Sequence, residues 1–190
     1  MRISGGNARG ITLTVPKGDR VRPATDGMRQ AVFSSLGLRV EGARFLDLFA
    51  GSGAYGLEAF SRGAAGGVFV EQNPKAAGCV ERNIAAVCKS LGRDPDDLIV
   101  RQADARTVPI VGAPPDLVFI DPPYDRLAEA APMIFARLAV AVPPGGGCLV
   151  VFEMPGEVEL APEGWTLVKR IGKGRRDPTV CFYRRAAVEA

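Results

Sequence analysis

The chain reads as an α/β protein, a mostly parallel sheet with helices on both faces. Three observations predict this. Short apolar runs of strand length recur at residues 45–49, 68–71, 98–100, 117–120 and 148–152. Stretches with helical spacing of apolar residues separate most of them. Glycine and proline, 23 and 15 of 190 residues, mark the connections. One domain is expected over 1–190, with 1–40 as an N-terminal extension to a core at 41–185.

The opening, residues 2–15, has turn glycines between β-prone pieces and reads as a strand pair or an extended arm. Met28, Val32, Phe33 and Leu36 share one helical face, with Thr25 or Asp26 as cap and Gly37 as stop. A helix near 54–62 follows the first strand. Asn73-Pro74 supplies a cap and a first-turn proline for the next helix. Ala77, Val80, Ile84, Val87 and Leu91 form its inner face, and Gly92 ends it. Leu127, Ala131, Ile134 and Leu138 give another amphipathic helix. Strands at 165–168 and 180–183, joined by a short basic connection, are the expected antiparallel exception.

Composition excludes several chemistries. There is no histidine, so Ser-His-Asp hydrolysis and His-ligated zinc are ruled out. The four cysteines, Cys79, Cys88, Cys148 and Cys181, lack metal or disulfide spacing and read as buried thiols of a cytoplasmic protein. No metal site is expected. No apolar run reaches the roughly 18 to 20 residues of a membrane span, and residues 1–6 lack a secretory apolar stretch. Net charge is +3 and uneven. Residues 1–30 carry six basic against two acidic residues, residues 165–190 seven against two, and the middle 11 against 17. Basic ends around an acidic centre suit a polyanion held at the rim of a central site.

The centre carries the chemistry. Gly51-Ser52-Gly53-Ala54-Tyr55-Gly56 fits G-x-G-x-x-G between a strand and a helix, where a cofactor loop belongs. Asp47 lies four residues before its first glycine. A dinucleotide pyrophosphate gains nothing from an acid there, whereas a cofactor with a cationic amino-acid end does. S-adenosylmethionine is such a cofactor. Glu71 ends the next strand, where an acid accepts from ribose hydroxyls. Asp104, after a third strand, can accept from an adenine amino group. Asp121-Pro122-Pro123-Tyr124 follows the fourth. Two prolines fix two φ angles and remove two N–H donors, leaving carbonyls to point outward as acceptors. With the Asp121 carboxylate and the Tyr124 ring, they suit a flat substrate bearing an amino group. Four acids at four successive strand ends stand where open α/β sheets bind ligands.

These motifs, with Val70-Glu71 and Ala103-Asp104-Ala105, resemble the class I S-adenosylmethionine-dependent methyltransferases that modify amino nitrogens. Arg2-Ile3-Ser4-Gly5-Gly6, Arg9-Gly10, Arg22-Pro23-Ala24-Thr25-Asp26 and Arg29 with Phe33 narrow the resemblance. It becomes the bacterial 16S ribosomal RNA guanine-N2 methyltransferases. The family commonly has Thr, Arg and Glu at the positions of Ala24, Gly27 and Gln30. The resemblance implies a Rossmann-like, mostly parallel seven-stranded sheet. It also implies methyl transfer from S-adenosylmethionine to the 2-amino nitrogen of a guanine in small-subunit rRNA. The substrate would be 16S rRNA or a small-subunit assembly intermediate, and the enzyme a monomer.

On that reading Thr25, Asp47, Phe49, Ala50, Gly51, Gly53, Gly56, Glu71, Gln72, Asp104, Ala105 and Asp121 hold the cofactor. Asp121 and the Pro122 carbonyl bind the amine hydrogens, Tyr124 stacks on the base, and Asp121 or water receives the proton. Arg2, Arg9, Arg22, Lys173, Arg175 and Arg176 hold phosphates. An adenine-N6 or cytosine-N4 DNA methyltransferase shares the Asp-Pro-Pro-Tyr logic but needs a target-recognition domain. A protein-glutamine methyltransferase favours Asn in place of Asp121. A nicotinamide dehydrogenase fits the glycine loop alone. A non-catalytic RNA-binding protein would not need the four acids.

Overall fold

The computed structural model describes residues 1–16, 26–172, 174 and 177–188. Helix α1 (Asp26–Leu36) precedes an alternating run: β1 (Arg44–Leu48), α2 (Ala54–Ser61), β2 (Gly66–Val70), α3 (Pro74–Leu91) and β3 (Leu98–Arg101). β4 (Leu117–Ile120), α4 (Leu127–Ala141), β5 (Leu149–Pro155), β6 (Trp165–Ile171) and β7 (Pro178–Arg185) complete the chain. The seven strands form one sheet in the order β3-β2-β1-β4-β5-β7-β6. β1 to β5 are parallel, and β7 runs antiparallel between β5 and β6. Strand order reverses between β1 and β4, which places a crevice beyond their carboxyl ends. This is the class I methyltransferase architecture expected from the sequence.

Local chemistry explains the elements. In α1, Arg29, Val32, Phe33 and Leu36 are buried, at i, i+3, i+4 and i+7. The Asn73 side chain accepts from the N–H groups of Lys75 and Ala76, Pro74 opens α3, and Gly92 closes it at φ 62°. β4 is buried at every position, as a central parallel strand requires. Alternation along the strands makes two cores. Phe45, Phe69, Phe119, Val151 and Phe182 face α1, α2 and α3, whereas Leu48, Val118, Ile120, Phe152 and Tyr183 face α4. All four cysteines are free and buried. Among the described residues no helix is long and apolar enough to cross a membrane.

The N-terminal segment is an arm that doubles back on itself, short of two full strands. An isolated antiparallel bridge joins Arg2 and Thr12, and the N–H groups of Ile3, Gly10 and Leu13 donate to the carbonyls of Ile11, Ile3 and Met1. Gly6 and Gly10 have φ of 74° and 93°, turning the chain where a ladder would have continued. Side chains of the core pin the folded-back arm. Glu58 accepts from the Ser4 N–H and hydroxyl, at 2.7 and 2.8 Å. Ser61 Oγ accepts from the Ala8 N–H at 2.9 Å and donates to the Gly5 carbonyl at 2.7 Å. Asn83 accepts from the Thr14 N–H, and its amide group donates to the carbonyls of Thr14 and Ser52. Ile3, Ala8 and Leu13 are buried beneath these contacts. Asn83 therefore ties the arm to the glycine loop.

Candidate active site

The strand tips bring the predicted acids to one side of the sheet. Asp47 lies level with Phe69 and Phe119. Leu48 pairs with Val70 and Ile120, and Ile120 with Phe152, so Glu71, Asp121 and Glu153 follow in the next row. Two-residue periodicity puts all four acids on the face that packs α1, α2 and α3. Glu153, in the apolar strand β5, was not among the residues expected from the sequence.

Asp47 is 3% exposed, and its carboxylate accepts from the Gly56 N–H at 3.0 Å. It thereby fills one of the open donor positions in the first turn of α2. Burial raises its pKa from an ordinary 3.8 to about 8; Glu71 adds to the rise and the Gly56 contact opposes it. Because the folded state holds this proton more tightly than the unfolded chain, stability falls as pH rises between about 4 and about 8. Asp47→Asn removes that dependence and keeps an acceptor for Gly56. In urea titrations the variant will overtake the parent above about pH 8, by a few kcal/mol. Parallel pH profiles for the two proteins would refute this assignment.

The glycine loop divides its labour. Phe49, at φ 61°, lets the chain leave β1 sharply, and Gly51 and Gly53 follow at φ 58° and 78°. The Ala50 N–H donates to the Val70 carbonyl. A Cβ on Gly51 would meet nothing nearer than 3.9 Å, so the loop's outer side is open to a ligand. Gly56 is different. A Cβ there would lie 2.4 Å from the Phe69 ring and 2.5 Å from that of Phe45, so this glycine serves helix–sheet packing. Glu71 binds the loop through the Gly51 N–H at 2.9 Å and the start of α3 through the Asn73 N–H at 2.8 Å. Each oxygen keeps a lone pair for a ribose hydroxyl.

Asp104 is held by Arg106, which donates to both carboxylate oxygens and also reaches Glu129 at 2.6 Å. These contacts hold the Asp104 carboxyl below the usual carboxylate range. Ala105 is buried in the α4-side core, and Gln72 is exposed beside Glu71. Asp121 is partly buried, Pro122 is buried, and Tyr124 is 44% exposed at the start of a 3-10 turn. The Asp121 pKa is pushed well up, first by burial and then by Glu153 and Asp47. Arg2 and Arg9 are exposed on the arm. Arg22, Thr25, Lys173, Arg175 and Arg176 lie outside the described residues.

Residues 1–184 match the family described as Conserved hypothetical protein 95. The chain belongs to that family. Ribosomal RNA small subunit methyltransferase D of Escherichia coli strain K12 is 37% identical over 126 residues, 66% of this chain and 61% of the relative. That stretch spans less than two thirds of the relative's length. The Haemophilus influenzae protein of the same name is 30% identical over 174 residues, 89% of this chain and 86% of the relative. A solved structure, the putative methyltransferase yhhF from Escherichia coli, superposes with a TM-score of 0.78 at 32% identity. The superposition covers 98% of each chain.

In this Conserved hypothetical protein 95 member, the sequence reading missed two buried polar residues behind the site, Glu153 and Glu58, and took Arg29 only as part of the resemblance. Glu153 is 3% exposed and accepts from the Tyr55 hydroxyl at 2.8 Å. Tyr55 sits inside the glycine motif. Arg29 and Glu58 form a fully buried ion pair at 3.4 Å. A lone acid inside the run Leu149 to Met154 was the available signal for Glu153. Arg29 also carried one, as a cation on the apolar face of α1.

Proposed function

We propose that the protein transfers a methyl group from S-adenosyl-L-methionine to the exocyclic N2 of a guanine in 16S ribosomal RNA. The observation that carries this reading is Asp121-Pro122-Pro123-Tyr124 at the tip of β4, beside the strand-order reversal and next to the acid-lined glycine loop. The names of the relatives support ribosomal RNA as the substrate class; the guanine N2 rests on the amino-group logic of the tetrapeptide.

The donor set fits the cofactor chemically. In this reading the open side of Gly51 and the Glu71 carboxylate face one crevice, with the buried Asp47 carboxyl behind the loop and Asp104 at the far side. Phe49, Ala50, Gly53, Gln72 and Ala105 contribute surface or backbone to the same site in this reading. Gly56 acts indirectly by letting α2 approach the sheet. When bound, the cofactor supplies an electrophilic methyl on a sulfonium. Asp121 and the Pro122 carbonyl accept the amine hydrogens and hold the nitrogen lone pair toward that methyl. The exposed Tyr124 ring stacks on the base, worth about 1 to 3 kcal/mol. Alignment then does most of the work, and the protonated product nitrogen is acidic enough to need no imidazole base.

Residues 1–40 belong to the RNA- and cofactor-binding surface in this reading, with Arg2 and Arg9 on phosphates and Arg22, Lys173, Arg175 and Arg176 as further basic contacts. Arg9→Ala will weaken rRNA binding and lower the slope of log affinity against log salt by about 0.7 to 0.9. Filter binding across a salt series measures it; an unchanged slope removes Arg9 from the interface. The decisive experiment offers isotopically labelled S-adenosylmethionine with small-subunit rRNA and digests the product to nucleosides. N2-methylguanosine is expected. Methyladenosine, methylcytidine or no transfer would overturn the reading.

A further inference from the structure

We propose that Glu153 is a positioning residue of the transfer site, its carboxyl paired with that of Asp121 so that the two together receive the proton released by the substrate amine. The proposal rests on the guanine-methylation reading only for the identity of that amine.

The placement is geometric. Asp121 follows Ile120 and Glu153 follows Phe152, and those two residues are register partners in adjacent parallel strands. Alternation aims both carboxyls at the same face. The flanking residues Phe152 and Met154 are fully buried and apolar, so nothing in β5's own packing calls for an acid. A buried carboxyl is costly unless hydrogen-bonded, and Tyr55 supplies the bond at 2.8 Å. The Tyr55 ring is fixed in turn by stacking on Phe119, with centroids 5.4 Å apart and planes 15° from parallel. Phe119 lies two residues before Asp121 on β4. One aromatic thus holds Glu153 and braces the strand that carries Asp121.

The charged and titratable groups facing the pair come from every element packed around it. Asp47 approaches from β1 with Glu71 beyond it, Tyr55 from α2 and the Arg29 cation from α1. Burial raises the proton affinity of both carboxyls. Glu153 and Asp47 raise Asp121 further, while Tyr55 and Arg29 restrain the rise at Glu153. Neighbouring buried carboxyls cannot both ionise cheaply, so the favoured state has one proton between them. That state retains one carboxylate. As the N–C bond forms, the S–C electron pair stays with sulfur, and the nitrogen's surplus proton passes to this carboxylate. A crowded carboxylate is a stronger base than a solvated one and suits that transfer. Exchange with water then restores the singly protonated pair.

The test needs no activity to begin with. Carboxyl 13C NMR of the ligand-free protein will show Asp121 and Glu153 titrating as a coupled pair in two steps. Glu153→Gln will leave a single Asp121 step, moved down by about one to two pH units because its like-charged neighbour is gone. Tyr55→Phe will move the upper step the other way, because Glu153 loses its donor. Single-turnover methyl transfer will shift its pH inflexion in the same directions, and Glu153→Asp will restore the wild-type profile. An Asp121 step that ignores Glu153→Gln overturns the proposal. If that variant does not fold, an unmoved upper step in Tyr55→Phe overturns it equally. Coupled titration in a wild-type protein that methylates no guanine would instead refute the assigned substrate and leave the pair standing.

Discussion

Asp121→Ala will abolish methyl transfer, by about a thousand-fold or more, while binding of S-adenosylmethionine stays within about threefold of wild type. The size follows from two losses at one residue. In the proposed function Asp121 aligns the amine and accepts the proton that leaves it; each such function is worth about 100-fold or more. Cofactor affinity is expected to survive because the proposed cofactor contacts lie elsewhere, on Glu71, the outer side of the glycine loop and Asp104. Removing Asp121 also takes a like charge away from Glu153 and Asp47, which relaxes the ligand-free site. Calorimetry for binding and single-turnover kinetics for chemistry separate the two effects. A parallel loss of both would make Asp121 a cofactor ligand first.

Glu58→Ala will lower the melting temperature by roughly 6 to 20 °C. Glu58 is the hub of the buried polar network, accepting from Arg29, Arg62 and both donors of Ser4. Its loss leaves the fully buried Arg29 with Asp26 and the Arg2 carbonyl as its remaining partners among the described residues. Breaking a buried pair by deleting one partner costs about 3 to 5 kcal/mol. In a chain of this length each kcal/mol is about 2 to 4 °C. Glu58→Gln, which keeps acceptors without the charge, will fall between. Differential scanning calorimetry decides, and a drop below about 3 °C would show that the Glu58 network contributes little to stability. The arm carries Arg2 and Arg9, so on the proposed function rRNA affinity will fall with stability in Glu58→Ala.

The sequence showed the strands and helices well because each is locally consistent. Asn73-Pro74 and Gly92 bound α3 where the periodicity ends, and the all-apolar β4 is a run no surface strand would tolerate. The arm was harder. Its glycines permit a hairpin or a turn, and what decides is the Ser4, Ala8 and Thr14 contacts to Glu58, Ser61 and Asn83, over 50 residues away. The site shows the same division. The placement of Asp47, Glu71, Asp104 and Asp121 was legible because each follows or lies within a readable strand next to a motif. Gly56 was read as a cofactor residue, and its place against Phe45 and Phe69 emerges only when helix meets sheet. Glu153 belongs to no motif, and its meaning depends on which strand lies beside β4.

By itself, then, the sequence determined which residue types end each strand, where the glycine loop falls, and that any proton transfer proceeds without histidine. Those properties are local, set by spacing and by what each side chain can donate or accept. Tertiary structure alone decided that β5 lies beside β4, that Tyr55 reaches Glu153 across 98 residues, and that Arg29 is buried against Glu58. Strand register sets those meetings, and register is a property of the whole packed sheet.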